Sequence, residues 1–545
     1  MPLNRAPAAL LLLTALAHAQ TPAPAATAKP APVYPTGPST PLGAQIASLL
    51  ADQTVSRAHW GIAVTALDGT PIYGLDEGQL FRPASVAKLF TTTTAMALLG
   101  AASTVTTTLQ TNGAVLSDGT LNGDVILIGT GDANLSGRHL PYETPAQAKA
   151  RLGKSTKDAP NPLAPLDDFA AQLSAKGITR ITGQVYGDDS IWPHDLYAQG
   201  WEIEDIPWGY GAPVSALSIN DNQIEITVAS VGPGLPLVTS SPASLFGMPV
   251  ISNEIRIVPA DQPTSIDVDR DDLNSDTLHF RGTLSAGKTD VEEVANLIPA
   301  EFAALALADV LKAHGIANGG GVGSSASVPG ASSFAASARQ PISNLTPERA
   351  PAAPNVGECM SRCITLASRV SAPLAEDVTI ALKVSQNLHA ELMLRRLGAI
   401  YGAAGTFLQG ARVVRQYLLN AGLDGNDFIF YDGSGLSTKD LVTPRATAQL
   451  LAYAATQPWF PQWKPALPVG GVDGTLSNRF TAAPLKGHVF AKTGTLGESR
   501  ALAGYLDAAS GRTLIFSILV DNHTPGSNAD RVVMDKIVAA IAAAN

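Results

Sequence analysis

The chain has 545 residues, and single hydrophobic cores stop growing near ~300 residues, so more than one domain is expected. Apolar residues make up 45% and charged residues 15%, a balance that excludes bulk disorder. The net charge is -10 and Lys and Arg form no run, which excludes a nucleic-acid binder built on a basic patch.

Residues 1–19 read as a signal peptide. Arg5 supplies the positive start, and Ala8 to Ala17 form an apolar run too short to span a bilayer. Ala17-His18-Ala19 then fits a small-x-small cleavage site, with Gln20 as the mature start. No Cys at that point offers a lipid anchor, and no later stretch has spanning length, so the mature chain is expected to lack a transmembrane anchor and to work in the periplasm or another extracytoplasmic space. Residues 20–41, rich in Pro, Ala and Thr, read as a linker.

The folded part opens with a short helical pattern, QIASLLAD from Gln45. A hairpin around a DG turn follows, from His59 to about Asp76. Pro83 and Gly100 bracket a buried helix expected from about Ala84 to Leu99. Short strands with NG, DG and GD turns come next, with the helical stretch DDFAAQLSAKG between them. From Asn222 to about Gly287 the chain turns strand-like, and this shift suggests a small all-β unit set inside another. EFAALALADVLKAHGI returns to helix, and 319–338 reads as a loose loop rich in Gly, Ser and Ala. Leu374 to Gly398 reads as helical, GYLDAASGRTLIFSILV as a hairpin, and VVMDKIVAAIAAA as a closing helix. The two cysteines, Cys359 and Cys363, have no neighbouring metal ligands. An oxidising compartment permits a disulfide between them, and a pair of free thiols is the alternative.

Three short motifs carry chemistry. Ser85 and Lys88 lie three apart at a helix start, so they share a face and pair a nucleophile with a base once the Lys is neutral. Ser385 and Asn387 form S-x-N, able to relay a proton and hold a substrate carbonyl. Lys492, Thr493 and Gly494 form K-T-G at a strand, where Lys and Thr can bind a carboxylate and Gly permits close backbone approach. Decoys exist. Ser285 and Lys288 repeat S-x-x-K in the strand-rich stretch, with no helix to fix them, and Ser218 with Asn220 repeats S-x-N.

S-x-x-K, S-x-N and K-T-G in this order form the motif set of penicillin-binding proteins and class A β-lactamases. The sequence resembles the class C low-molecular-mass penicillin-binding proteins, the D-alanyl-D-alanine carboxypeptidase/endopeptidases of serine peptidase family S13. FRPASVAKLFTT, WEIEDIPWGYGAPVSALSINDN, YDGSGLS, VGGVDGTLSNRF and GHVFAKTGTL carry the likeness over roughly 42–542. The 297 positions between Lys88 and Ser385 match that family's large insertion. The resemblance implies an α/β multidomain chain. Its catalytic domain, an antiparallel sheet flanked by helices, would be assembled from 42–105 and 355–545. Residues 106–354 would form two nested smaller domains, the strand-rich one at about 222–290.

The resemblance also implies roles. Ser85 is the acylated nucleophile, Lys88 its base and Ser385 the proton shuttle. Asn387 orients the peptide, while Lys492 and Thr493 anchor its terminal carboxylate. The N–H groups of Ser85 and Thr495 form the oxyanion hole, and Asp188, chosen over Asp189, meets the amino group of the third peptide residue. Peptidoglycan peptides are the implied substrates and β-lactams the covalent inhibitors, with no cofactor and no metal. A β-lactamase or esterase on the same scaffold is the alternative, and a non-catalytic wall-binding protein the second. Residues 319–353 match nothing in the resemblance.

Overall fold

The computed structural model describes residues 32–152, 161–232, 234–242, 250–272, 275, 277–327, 333–343, 345 and 363–545. The expected signal peptide and most of the linker lie outside these residues, as does Cys359. Cys363 is disulfide-bonded.

A five-stranded antiparallel sheet organises the fold. Its strands are β1 (His59–Ala66), β2 (Pro71–Leu75), β3 (Val489–Leu496), β4 (Ser499–Asp507) and β5 (Thr513–Asp521), in the order β2-β1-β5-β4-β3. Side chains alternate across a strand, so each strand feeds two cores. On β5, Leu514, Phe516, Ile518 and Val520 face one way, into a core shared with α1 (Pro41–Leu50) and a C-terminal helix, Ala529–Ala543. Ile515 and Leu519 face the other way, toward α2 (Ala87–Leu98), α3 (Leu374–Lys383) and α4 (Asn387–Tyr401). On β3, Val489 and Ala491 take the first face. The same alternation turns Lys492 and Gly494 toward α2.

Helix α2 is buried on nearly every side, its Thr91–Thr94 run included. Four β-branched hydroxyl residues are poor helix material, but each hydroxyl donates to a backbone carbonyl: Thr92 to Lys88 (2.7 Å), Thr93 and Thr94 to Phe90 (3.1 and 2.8 Å), Thr91 to Gly433 (2.8 Å). No buried donor is left unmet there. The expected helix over Ala84–Leu99 is a 3₁₀ turn, Ala84–Val86, running into α2.

The helix expected across Leu374–Gly398 is two helices. The chain breaks at Ser385, whose φ is +62°, in the left-handed region that L-residues avoid. This break aims the Ser385 side chain away from the helix axis, and α4 restarts at Asn387 with Gln386 capping the Leu388 N–H. Part of the loose loop expected at 319–338 is also ordered. Val322–Ser327 is a strand parallel to Val185–Pro193, and Phe334–Ser337 is a helical turn.

The long central stretch has its own core, drawn from Leu109 to Ile316 and closed by Leu366 and Ala367. Its five-stranded mixed sheet includes Ile364–Val370, paired antiparallel with Thr106–Thr111. Two three-stranded sheets occupy 223–295, among them the strand ending at Ser285. Among the described residues no helix is long and apolar enough to cross a membrane.

Buried charge links this stretch to the helices behind the site. His389 on α4 lies 3.5 Å from Asp221 and 3.6 Å from Asp377, all three buried. Arg138 pairs with Asp221, and Asn134 Nδ2 donates to Asp377 (2.7 Å). Burial alone would depress the imidazolium, but the two carboxylates outweigh it and hold the ring up at about 9.

Because the folded pKa lies above the ordinary His value of 6.5, this stabilisation is complete below that value and is lost as pH rises through about 9. His389→Ala, which leaves two buried carboxylates short of a cation, should cost about 3–5 kcal/mol. Urea unfolding at pH ~6 and at alkaline pH checks this: the gap between variant and wild type should be widest below pH ~6.5 and narrow steadily toward pH ~10.

Candidate active site

Ser85 sits in the 3₁₀ turn ahead of α2, preceded by Ala84 at φ +45°, an uncommon conformation for a residue with a side chain. Two glycines let other segments press on this turn. A Cβ at Gly494 would come within 2.7 Å of the Pro83 carbonyl oxygen, and one at Gly435, itself at φ +81°, within 1.8 Å of that of Ala84. Any larger residue would push strand β3 or the Tyr431–Ser437 loop off the nucleophile's backbone.

One helical turn on, Lys88 is fully buried, and its Nζ meets three atoms. It lies 2.8 Å from Ser85 Oγ, 2.6 Å from Asn387 Oδ1 and 2.9 Å from the Ser434 carbonyl oxygen. The Asn387 amide is oriented because its Nδ2 donates to the Tyr210 carbonyl (2.8 Å), which turns Oδ1 toward the lysine. Two of the three neighbours can only accept, and the third is a hydroxyl. A neutral amine has two N–H bonds and one lone pair. It therefore donates to Asn387 and Ser434 and has its lone pair free for the Ser85 proton.

Burial pulls the Lys88 ammonium down to about 7, while Asp432 and Glu391 work against the fall. Lys492, equally buried, is lowered well below its usual value by burial and by Lys88. Its Nζ donates to Ser385 Oγ (2.9 Å) and to the Thr493 carbonyl (2.7 Å). It reaches open solvent nowhere, so anything in the cleft feels it through Ser385. Thr493 Oγ1 lies 2.8 Å from Thr475 Oγ1, on a turn whose Asp473 is clamped by the buried Lys383 at 2.7 Å.

Ser85, Lys88, Ser385, Asn387, Lys492 and Thr493 thus come together from three separated segments, and Gly494 and Thr495 continue β3 beside them. Asp188 lies on the strand Val185–Pro193 of the central stretch. Its Oδ1 accepts from the Ser190 N–H (2.9 Å) on its own strand, and no hydrogen bond among the described residues links it to this cluster. Asp189 accepts from the Ser215 hydroxyl (2.6 Å). The decoys are structural. Ser285 Oγ donates to the Gln262 carbonyl and Ser218 Oγ to that of Ser215. The carbonyls of Ser434 and Tyr210 and the hydroxyl of Thr475 are parts of the site that the motifs did not reveal. Backbone carbonyls leave no mark in side-chain patterns, although all three lie in segments that carry the family likeness.

Chemically, the cluster offers a hydroxyl nucleophile beside a buried amine and a second hydroxyl beside a second amine, with no carboxylate hydrogen-bonded to either amine among the described residues. Because the neutral amine is the competent form, acylation should rise with pH through about 7. The second-order rate of acylation by a chromogenic β-lactam, followed from pH ~5 to ~9, checks this, and a flat profile below pH ~7 would contradict it.

The D-Ala-D-Ala carboxypeptidase 3 (S13) family matches residues 42–364 and 349–544. A D-alanyl-D-alanine carboxypeptidase of Actinomadura sp. (strain R39) is 28% identical over 498 residues, covering 89% of this chain and 82% of that one. A D-alanyl-D-alanine carboxypeptidase of Haemophilus influenzae is 25% identical over 448 residues, covering 81% of each. Among solved structures, penicillin binding protein 4 of Haemophilus influenzae superposes with a TM-score of 0.68 at 22% identity, covering 90% of this chain and 97% of that one. That likeness shows a shared penicillin-binding fold.

Proposed function

The chain belongs to the D-Ala-D-Ala carboxypeptidase 3 (S13) family, and from that premise we propose how its residues divide the work. The protein is a serine-type D-Ala-D-Ala carboxypeptidase. Ser85 Oγ attacks the carbonyl carbon of the penultimate D-alanine as its proton passes to Lys88 Nζ. Ser385 Oγ relays a proton to the departing amine, the C–N bond breaks, and the acyl group stays on Ser85 as an ester. Water then attacks that ester by the same route in reverse and frees Ser85. The N–H groups of Ser85 and Thr495 hold the developing oxyanion. Asn387, besides fixing Lys88, orients the peptide.

The observation that carries this reading is the arrangement around Lys88 Nζ, with two acceptors for its N–H bonds and Ser85 Oγ at 2.8 Å as the third neighbour. Lys492 acts on the substrate's terminal carboxylate through Ser385 and alongside Thr493, because an anion entering the cleft favours the ammonium that burial and Lys88 oppose. An amine carried by a neighbouring stem peptide can leave in the same way as D-alanine, so cleavage of cross-links belongs to the same proposal, and product analysis on cross-linked muropeptides decides it. For Asp188 the support is the family likeness alone. The insertion is expected over 106–354; because Ile364–Val370 pairs with Thr106–Thr111, in this reading it extends to about 370, with the catalytic domain on either side. The site lies beyond the cytoplasmic membrane, where its substrate is, and sequencing of the mature N-terminus should begin at Gln20.

Labelled penicillin should acylate the protein on a peptide containing Ser85, found by mass spectrometry, and Ser85→Ala should abolish the label. A label on the Ser285 peptide would overturn the assignment. Lys492→Ala should lose about ten- to a hundred-fold in kcat/KM on a peptide ending in free D-Ala-D-Ala. It should lose far less on the same peptide amidated at its C-terminus. Equal losses on both would assign Lys492 to the Ser–Lys pair instead of the carboxylate.

A further inference from the structure

Behind Lys88 lies a buried cluster of three carboxylates that the mechanism above does not use: Glu391 on α4, and Asp432 and Asp440 on the loop that begins YDGSGLS. Glu391 stands one turn after Asn387, on the same face of α4. Its Oε2 accepts from the Gly433 N–H (2.8 Å) and its Oε1 from the Ser434 N–H (2.7 Å). Asp432 takes the N–H groups of Gly435 and Ser437 (both 2.7 Å) and the indole N–H of Trp201 (2.9 Å), and Asp440 takes that of Tyr431 (2.6 Å). From α2, Thr91 Oγ1 donates to the Gly433 carbonyl (2.8 Å).

These bonds fix successive peptide planes: Glu391 and Thr91 hold those on either side of Gly433, and Asp432, through the Gly435 N–H, holds the next one, whose Ser434 carbonyl takes one N–H of Lys88. Without it the amine is free to rotate about its Cε–Nζ bond, and the lone pair no longer stays on Ser85 Oγ. Resting on the reading of Ser85 and Lys88 as the acylating pair, we propose that Glu391 is a positioning residue for acylation, acting on Lys88 through the Gly433–Ser434 backbone. The one helix thus holds the base twice, directly by Asn387 and through a loop by Glu391. Both oxygens of Glu391 receive backbone N–H bonds, the pattern of an ionised carboxylate. Burial and Asp432 nonetheless push its carboxyl up to about 8, against the Ser434 hydroxyl and the two amides. The charged groups around it are Lys88 from α2, Asp432 and Asp440 from the loop, and Arg395 from α4.

The test uses the full-length protein and a chromogenic penicillin, with the binding constant and the first-order acylation rate separated by stopped flow over a pH series. Glu391→Gln keeps the size but turns an amide N–H₂ against one of the two backbone donors. It should lower the acylation rate about tenfold or more with little change in binding. The acid limb should also move to lower pH, because the carboxylate and the Ser434 carbonyl both favour the Lys88 ammonium. Thr91→Val, which frees the same loop without touching charge, should slow acylation several-fold and leave the limb in place. It also carries the test if Glu391→Gln does not fold, since wild-type acylation by Thr91→Val would then overturn the inference. An unmoved limb with a wild-type rate in folded Glu391→Gln overturns it, and so does a loss confined to binding. Ser85→Ala in parallel separates the two readings. Label retained there sinks the acylating pair itself; label lost there with Glu391→Gln unaffected sinks this inference alone.

Discussion

A lysine buried without a carboxylate partner in contact is the constraint on which the site depends. In water Lys88 would be an ammonium and useless as a base. Burial shifts it toward the neutral form, and the carbonyl and amide oxygens that satisfy its two N–H bonds avoid the full charge of an ion pair. Acceptors of that kind are unfavourable to an amine only if one is missing, so the surroundings must be rigid. The rigidity is visible in the buried helix carrying Lys88, the amide of Asn387 pinned by Tyr210, and the loop pinned by Glu391 and Asp432.

The same requirement explains the backbone conformations nearby. Ala84 and Ser385 both adopt positive φ, and Gly435 and Gly494 permit approaches that a Cβ would block. Strain of this sort costs about 1–3 kcal/mol at each residue with a side chain and persists only where the surroundings over-determine it. Here it brings a helix start, an interhelical break and an edge strand within hydrogen-bonding distance of one another. The long insertion is no bystander, since the Tyr210 carbonyl and the Trp201 indole both reach the site from it.

Much of this was legible in the sequence because it rests on local pattern. The hairpins, the helix after Pro83, the strand-rich stretch and the three motifs are all written in periodicity, turn residues and spacing. The break at Ser385 was not, because the apolar repeat runs on through it and only the tertiary demand to reach Lys492 selects the left-handed conformation. Ordering of Val322–Ser327 was hidden for a related reason: a Gly- and Ser-rich strand has no hydrophobic alternation, and its partner lies far off in the chain. The supporting carbonyls and the acidic cluster act through backbone groups, which composition cannot display.

The five-stranded sheet joins segments far apart in the chain. β1 pairs with β5, His59 opposite Asp521, and the nucleophile's helix packs on strands far downstream of it in the sequence. A nascent chain leading with its N-terminus therefore carries Ser85 through synthesis as an ordinary exposed serine beside an ordinary protonated lysine. Reactivity arises only when the final segment closes the sheet and drives water from around Lys88. Closure of the sheet is in this sense the activating step, and a chain without β5 lacks both the sheet and the chemistry.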